Sequence, residues 1–188
     1  MIKIFAYGSL LCDATIDREH VTIEDRAIAV LPGFKRVWGP AVHRDDLSLN
    51  PHAVVFTGAD SDAVTGAMLS ISDDSLPYFE QREKAYYFSY PQVRTGSSWS
   101  RAITFESRAP VAYDVPVYVS YAATVACGLI ELLGEHEGEL EFRRSMVEHY
   151  RLIDDVEAGS PVVYQRWNLL SRHQQKIGLA LLRRAAQV

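Results

Sequence analysis

The chain has 188 residues, 48% of them hydrophobic and 23% charged, and a formal charge of −5 from 19 Lys+Arg against 24 Asp+Glu. This is the composition of a globular protein and excludes disorder over most of the length. Lys and Arg are scattered, and the pairs Arg143-Arg144 and Arg183-Arg184 sit in helix-like segments, so the basic footprint of a nucleic-acid binder is missing.

Two cysteines, Cys12 and Cys127, lack CxxC spacing and give neither a disulfide framework nor a zinc site. No apolar run is long enough to span a bilayer, and the N-terminal run is too short for a signal peptide. The expected setting is the reducing cytoplasm, with no membrane partner.

In chain order, residues 2–7 read as a first strand that stops at Gly8-Ser9. Residues 8–25 read as a polar loop. Residues 26–38 read as two short strands broken at Pro32-Gly33. A second polar loop is expected over 40–51, with Asp45-Asp46 and Asn50-Pro51 as turn signals. Strand-like runs follow at 54–56 and 64–71. A short helix is then expected within SDDSLPYFEQREKAY. Pro77 is tolerated only in its first turn, which puts the N-cap at Asp74 or Ser75. Leu76, Phe79 and Glu83 then share one face, with Glu83 at the buried C-terminal end.

Strands resume at 86–94, 101–105 and 115–120. From residue 121 three segments carry helical spacing: ATVACGLIELL, LEFRRSMVEHYRLI and RWNLLSRHQQKIGLALLRR. In the last, Leu170, Ile177 and Leu181 (with Ala180) form an apolar stripe. Exposed, such a stripe would serve a homodimer or another protein partner. The chain reads as one domain over 1–188, strand-rich over 1–120 and helical over 121–188. Strands first and helices later indicate an α+β fold. The expected form is a small mixed β-barrel or strongly curved sheet with flanking helices and a helical C-terminal tail. The helix ending at Glu83 would cross its mouth.

Two features carry chemistry. The strand ending in Tyr7-Gly8-Ser9-Leu10 brings consecutive N–H groups to a loop tip, a nest suited to a carboxylate or oxyanion. Glu83, tucked against Phe79, Tyr86 and Tyr87, would have its proton affinity raised by desolvation. The plain alternative is a helix-terminal charge paired with Arg82 or Lys84. Both neighbours are expected to point away from Glu83 on a helix, so that replacing either should matter much less than replacing Glu83. A Cys/His site drawn from Cys12, His20 and His43 has no supporting elbow motif. The acidic stretch 131–141 with His136 reads as a solvated loop, and His149 and His173 as isolated helix residues.

Together FAYGSLL (5–11), PGFKRVW (32–38), TGAMLSI (65–71) and LPYFEQREKAYY (76–87) resemble the γ-glutamylcyclotransferase-like superfamily, including its ChaC branch. Order and spacing agree over roughly residues 2–95. Ala85 and Tyr86 stand where the ChaC branch has two glycines, and Tyr87 falls at that branch's Tyr. The resemblance implies an enzyme that cyclises a γ-glutamyl amide or peptide to 5-oxoproline and releases the amine, with no metal or cofactor. Glu83 would be the catalytic proton carrier. Tyr7, Gly8, Ser9, Leu10, Tyr87 and Tyr118 would bind the γ-glutamyl small molecule. The other reading is a non-catalytic binding module of the same fold, holding a γ-glutamyl or related carboxylate.

Overall fold

β1 (Ile2–Ala6) buries Ile4, Phe5 and Ala6 in succession, so the end of this strand is covered on both faces. The computed structural model describes residues 1–42, 49–84, 86–107, 115–145, 150–156, 164 and 166–185. β1 pairs antiparallel with β5 (Ala63–Ile71), whose other edge pairs antiparallel with β2 (Ile23–Pro32). The hairpin β7 (Gln92–Thr95) and β8 (Ser98–Arg101) continues this sheet beyond β2. A second sheet has the order β3 (Phe34–Val42), β4 (Leu49–Thr57), β9 (Thr104–Glu106), β6 (Tyr87–Ser89).

The chain crosses between sheets at Gly33, whose φ of 74° suits a residue without a Cβ. The sheets meet again where Phe5 N–H donates to Ile103 O and Ile103 N–H to Lys3 O, each at 2.8 Å. These junctions curl the strands into a strongly curved half-barrel. With four helices among the described residues, the fold is α+β.

Two local expectations are overturned. β3 and β4 pair over nine positions, from Phe34↔Thr57 to Val42↔Leu49, so both strands enter the stretch expected to be a polar loop. Asn50-Pro51 lies in β4, opposite Ala41 and Pro40: long cross-strand pairing overrides the local turn signal. Asp45-Asp46 and His43 lie outside the described residues. The stretch 131–141 is not a loop either. Gly134, at φ 83°, ends α2 (Val119–Leu133), and α3 (Glu135–Ser145) starts at once. Acidic residues in its first turn and basic ones in its last suit the helix dipole. Glu141 turns inward and pairs with the buried Arg36 of β3 at 3.3 Å, tying α3 to the sheet.

Every residue of α2 from Ser120 to Leu129 is buried, as in a helix enclosed on all sides. Its N-terminus is held by Asp155, which accepts from Ser120 N–H at 2.9 Å and from the Ser120 hydroxyl. A Cβ on Gly128 would sit 2.5 Å from the backbone of Leu11 and Cys12, so this glycine seats the loop after β1 directly on α2. The second expected helix also ends early. Tyr150–Ile153 forms β11, parallel to β10 (Val115–Tyr118), since a neighbouring strand supplies its hydrogen bonds.

The C-terminal α4 (Arg172–Ala185) packs on α2 and α3. It buries Gly178, Leu181, Leu182 and Ala185, while Ile177 is half-buried and Ala180 exposed. Leu170 lies before the helix, in the turn Trp167–Leu170, and is buried with Leu181 in the core. The expected stripe is therefore rotated and inward-facing, and it presents no exposed docking face at Leu170 or Leu181. Among the described residues no helix is long and apolar enough to cross a membrane.

Candidate active site

The site forms where the end of β1 meets the end of α1 (Leu76–Arg82). Ser75 stands at the N-cap position of α1, although its hydroxyl bonds Thr22 N–H and Ser72 Oγ rather than the helix, and Pro77 sits in the first turn, where its missing N–H costs nothing. Past β1, Tyr7 is buried and its hydroxyl donates to the Phe105 carbonyl. The chain then enters a 3-10 turn, Ser9–Leu11, closed by Leu11 N–H to Gly8 O at 3.0 Å. A Cβ on Gly8 would come within 3.2 Å of the Tyr121 hydroxyl, so glycine lets the loop lie against that phenol. Among the described residues none accepts a hydrogen bond from the amides of Gly8, Ser9 or Leu10. As first amides of a helical turn, they remain available to an anion.

Glu83 stands immediately after α1, with φ −105° and ψ 20°. Its side chain is 14% exposed, and Oε1 accepts the Nε–H of Arg82 at 3.0 Å. This corrects the expectation that Arg82 points away. The helix ends at Arg82, so the rotation per residue that separates helical neighbours stops there, and the two side chains turn together. Arg82 donates further to Thr15 O at 2.8 Å, to Ser9 Oγ at 3.3 Å and to the Tyr78 hydroxyl at 3.4 Å. One buried guanidinium thus joins Glu83 to the Tyr-Gly-Ser loop.

Burial raises the proton affinity of Glu83, and the positive charges of Arg82 and Arg166, with the Arg82 hydrogen bond, oppose it without cancelling it. Burial also works against the charge of Arg82, but Glu83 and the phenols of Tyr164 and Tyr78 outweigh it, so Arg82 holds its proton more firmly than usual. Burial, followed by neighbouring charges including Glu83, raises Tyr7 and Tyr86 well above an ordinary phenol. Three neutral phenols, Tyr7, Tyr86 and Tyr121, therefore line a site whose one carboxylate is unusually ready to take a proton.

Tyr87 lies outside this cluster. The turn closed by Tyr86 N–H to Glu83 O at 2.9 Å places Tyr86 inward, and strand alternation leaves Tyr87 56% exposed. Tyr118 ends β10 and packs half-buried against the core. The tyrosine that reaches the loop is Tyr121, one helical turn on. Its hydroxyl accepts the Ala53 N–H at 3.1 Å. Tyr121→Phe should leave that buried N–H without a partner and destabilise the fold by about 1–3 kcal/mol, read by urea unfolding. Unchanged stability would show that Ala53 needs no acceptor there.

The sequence reading also passed over Tyr164 and Arg166. Tyr164 packs edge-on against Tyr121, ring centroids 4.9 Å apart, and donates its N–H to Ser120 Oγ at 3.0 Å. No periodicity or motif in that stretch signals either residue. The Cys/His alternative loses its footing. Cys12 and Cys127 are buried side by side, and the Cys12 contact followed by burial pushes the Cys127 thiol up, away from the nucleophilic thiolate. His20 is exposed and paired with Asp17 at 2.8 Å.

No protein-family model matches the chain, and no curated protein matches it in sequence. Solved structures do resemble it. An uncharacterized protein, loc79017, from Homo sapiens superposes with a TM-score of 0.65 at 17% identity, over 89% of this chain and 95% of that one. A gamma-glutamyl cyclotransferase superposes at 0.64 and 16% identity, over the same shares. YkqA from Bacillus subtilis gives 0.63 at 21% identity, over 80% of this chain and 56% of that one. Likeness over 89% of the chain reaches into the helical part beyond residue 138. At these identities the shared property is the architecture. The curled half-barrel with its flanking helices is thus a fold shared with a solved gamma-glutamyl cyclotransferase, and the likeness is one of architecture.

Proposed function

We propose that the chain is a γ-glutamylcyclotransferase-type enzyme acting on a γ-glutamyl amide or peptide. In this reaction the substrate's α-amine nitrogen attacks its own γ-carbonyl carbon. A five-membered ring closes, the amide C–N bond breaks, and 5-oxoproline and a free amine leave. The protein must hold the glutamyl group folded while the α-ammonium loses two protons on its way to the lactam N–H, one before attack and one after, and the departing nitrogen takes them up and leaves as an ammonium. Holding the folded conformer supplies much of the acceleration, since intramolecular attack has a high effective molarity.

The observation that carries this reading is the Glu83 carboxylate. It is buried, raised in proton affinity, and joined through Arg82 to Ser9 of the loop. A carboxylate tuned toward neutrality is suited to moving a proton in both directions. The free amides of Gly8, Ser9 and Leu10 suit the substrate's carboxylate or the oxyanion that develops at the carbonyl. The test is a panel of γ-glutamyl amino acids, peptides and amines, with 5-oxoproline as readout. Release from at least one compound class is expected. Binding without release across the panel would overturn the enzyme reading in favour of a binding module.

A further inference from the structure

Cys12 and Cys127 stand far apart in sequence, and the fold brings their thiols together. Cys12 follows the Ser9–Leu11 turn and donates its N–H to Ser9 O at 3.1 Å. Gly128 of α2 lets that backbone approach, since a Cβ on it would meet Cys12 N at 2.5 Å. Cys127, the residue before this glycine, is thereby set against Cys12, with both side chains buried. One turn further along α2, Glu131 reaches back to the pair. The two sulfurs and a carboxylate oxygen of Glu131 all lie within 4.8 Å of one another.

The carboxylate is held in place from two sides. Gln174 of α4 donates from Nε2 to Glu131 Oε1 at 2.7 Å, and Asp13 N–H donates to Oε2 at 3.4 Å. Such outer contacts are what orient a ligand carboxylate. Cys127 Sγ–H donates to the same Oε1 at 3.6 Å. A tetrahedral zinc ion, about 2.3 Å from sulfur and about 2.0–2.2 Å from oxygen, spaces those two ligand atoms by about 3.6 Å. The Cys127–Glu131 edge already has that length, with a proton where the ion would sit. Glu131 is exposed and gives an ion a way in from solvent, while the sulfurs lie in the interior, where a charge pair is held more strongly. A disulfide between the two thiols would give this oriented carboxylate no part.

We propose that Cys12, Cys127 and Glu131 form a binding site for a thiophilic divalent cation, zinc by ligand type, that clasps the loop after β1 to α2. Binding releases the two thiol protons to solvent. Two thiolates and one carboxylate then hold the ion, and water fills the fourth position. The site is separate from Glu83 and takes no part in the cyclotransferase reading, which stands or falls without it.

The experiment titrates reduced, metal-free, full-length protein with Co²⁺ and then Zn²⁺. Cobalt should give a sulfur-to-metal charge-transfer band in the near ultraviolet that saturates at one ion per chain, and zinc should bleach it by displacement. Zinc should also raise the unfolding temperature, because an ion that binds only the folded site stabilises it. Cys12→Ala and Cys127→Ala should each lose the band. Glu131→Gln, at an exposed position where folding is not at stake, should weaken zinc by about 10-fold or more, since even residues that merely orient a ligand are worth that much. His20→Ala, which dismantles the exposed cluster of Asp17, Glu19 and His20, should leave zinc binding unchanged. A parent without the band, or zinc affinity that ignores Glu131→Gln or is lost in His20→Ala, would overturn the assignment. Reduced protein that binds neither ion but closes a Cys12–Cys127 disulfide with glutathione disulfide would overturn it in favour of a redox pair.

Discussion

Glu83→Gln should slow 5-oxoproline release by about two to four orders of magnitude, the usual scale for losing a general acid–base group. The amide is nearly isosteric and keeps an oxygen to accept the Arg82 Nε–H now held at 3.0 Å. It cannot take a proton from an ammonium group. Binding of the γ-glutamyl compound should persist, so the loss should appear in kcat. The rate of the parent should rise with pH as Glu83 ionises, over a range shifted above the ordinary carboxyl value of 4.5 by burial. Stability gives an independent reading. A carboxyl whose proton affinity is raised on folding binds its proton more tightly in the folded state. It therefore subtracts stability as pH rises from its unfolded value through its folded one. Glu83→Gln should abolish that decline, so that its stability is flatter with pH over the carboxyl range, although it also leaves the buried Arg82 charge without its carboxylate and lowers stability at every pH where the parent's Glu83 is ionised. A variant with near-parental turnover would remove Glu83 from the chemistry.

Arg82→Leu should be the most damaging single change near the site. It breaks a buried ion pair and strips hydrogen bonds from Thr15, Ser9 and Glu83 together. Breaking such a pair on one side costs about 3–5 kcal/mol, because the remaining charge is left uncompensated. Urea unfolding measures this directly. Arg82→Lys keeps the charge but not the fork of donors, and should fold while losing the bridge to the loop. In that variant the hydrogen bond that lowers the proton affinity of Glu83 is weakened. The rise of rate with pH should accordingly move to higher pH. Arg82→Leu with parental stability and turnover would return Arg82 to the outward position that helical spacing alone assigns it.

Those contrasting expectations for Arg82 mark where sequence reasoning stops. Read by itself, the sequence determined the features that depend on local chemistry. The strand that halts at Gly8-Ser9 follows from the Gly-Ser turn signal, and the start of α1 follows from Pro77. The strand-rich beginning, the helical end and the segments that resemble the superfamily are likewise legible, because apolar periodicity and short motifs are local properties. The apolar face of α1 placed Glu83 toward the interior for the same reason.

Tertiary structure decided what depends on contacts distant in sequence. β3 and β4 extend into a polar stretch because each supplies the other's hydrogen bonds, and Tyr150–Ile153 becomes a strand because β10 lies beside it. Glu141 turns inward from an acidic run because Arg36 is buried beneath it. At the site, termination of α1 at Arg82 turned that side chain onto Glu83, and the turn closed by Tyr86 N–H to Glu83 O put Tyr86 inside and Tyr87 outside. Tyr121 reaches the loop because α2 runs beneath it, and Tyr164 reaches Tyr121 because its N–H is held by Ser120 of α2. Nothing in their immediate sequence encodes that position; packing on α2 does.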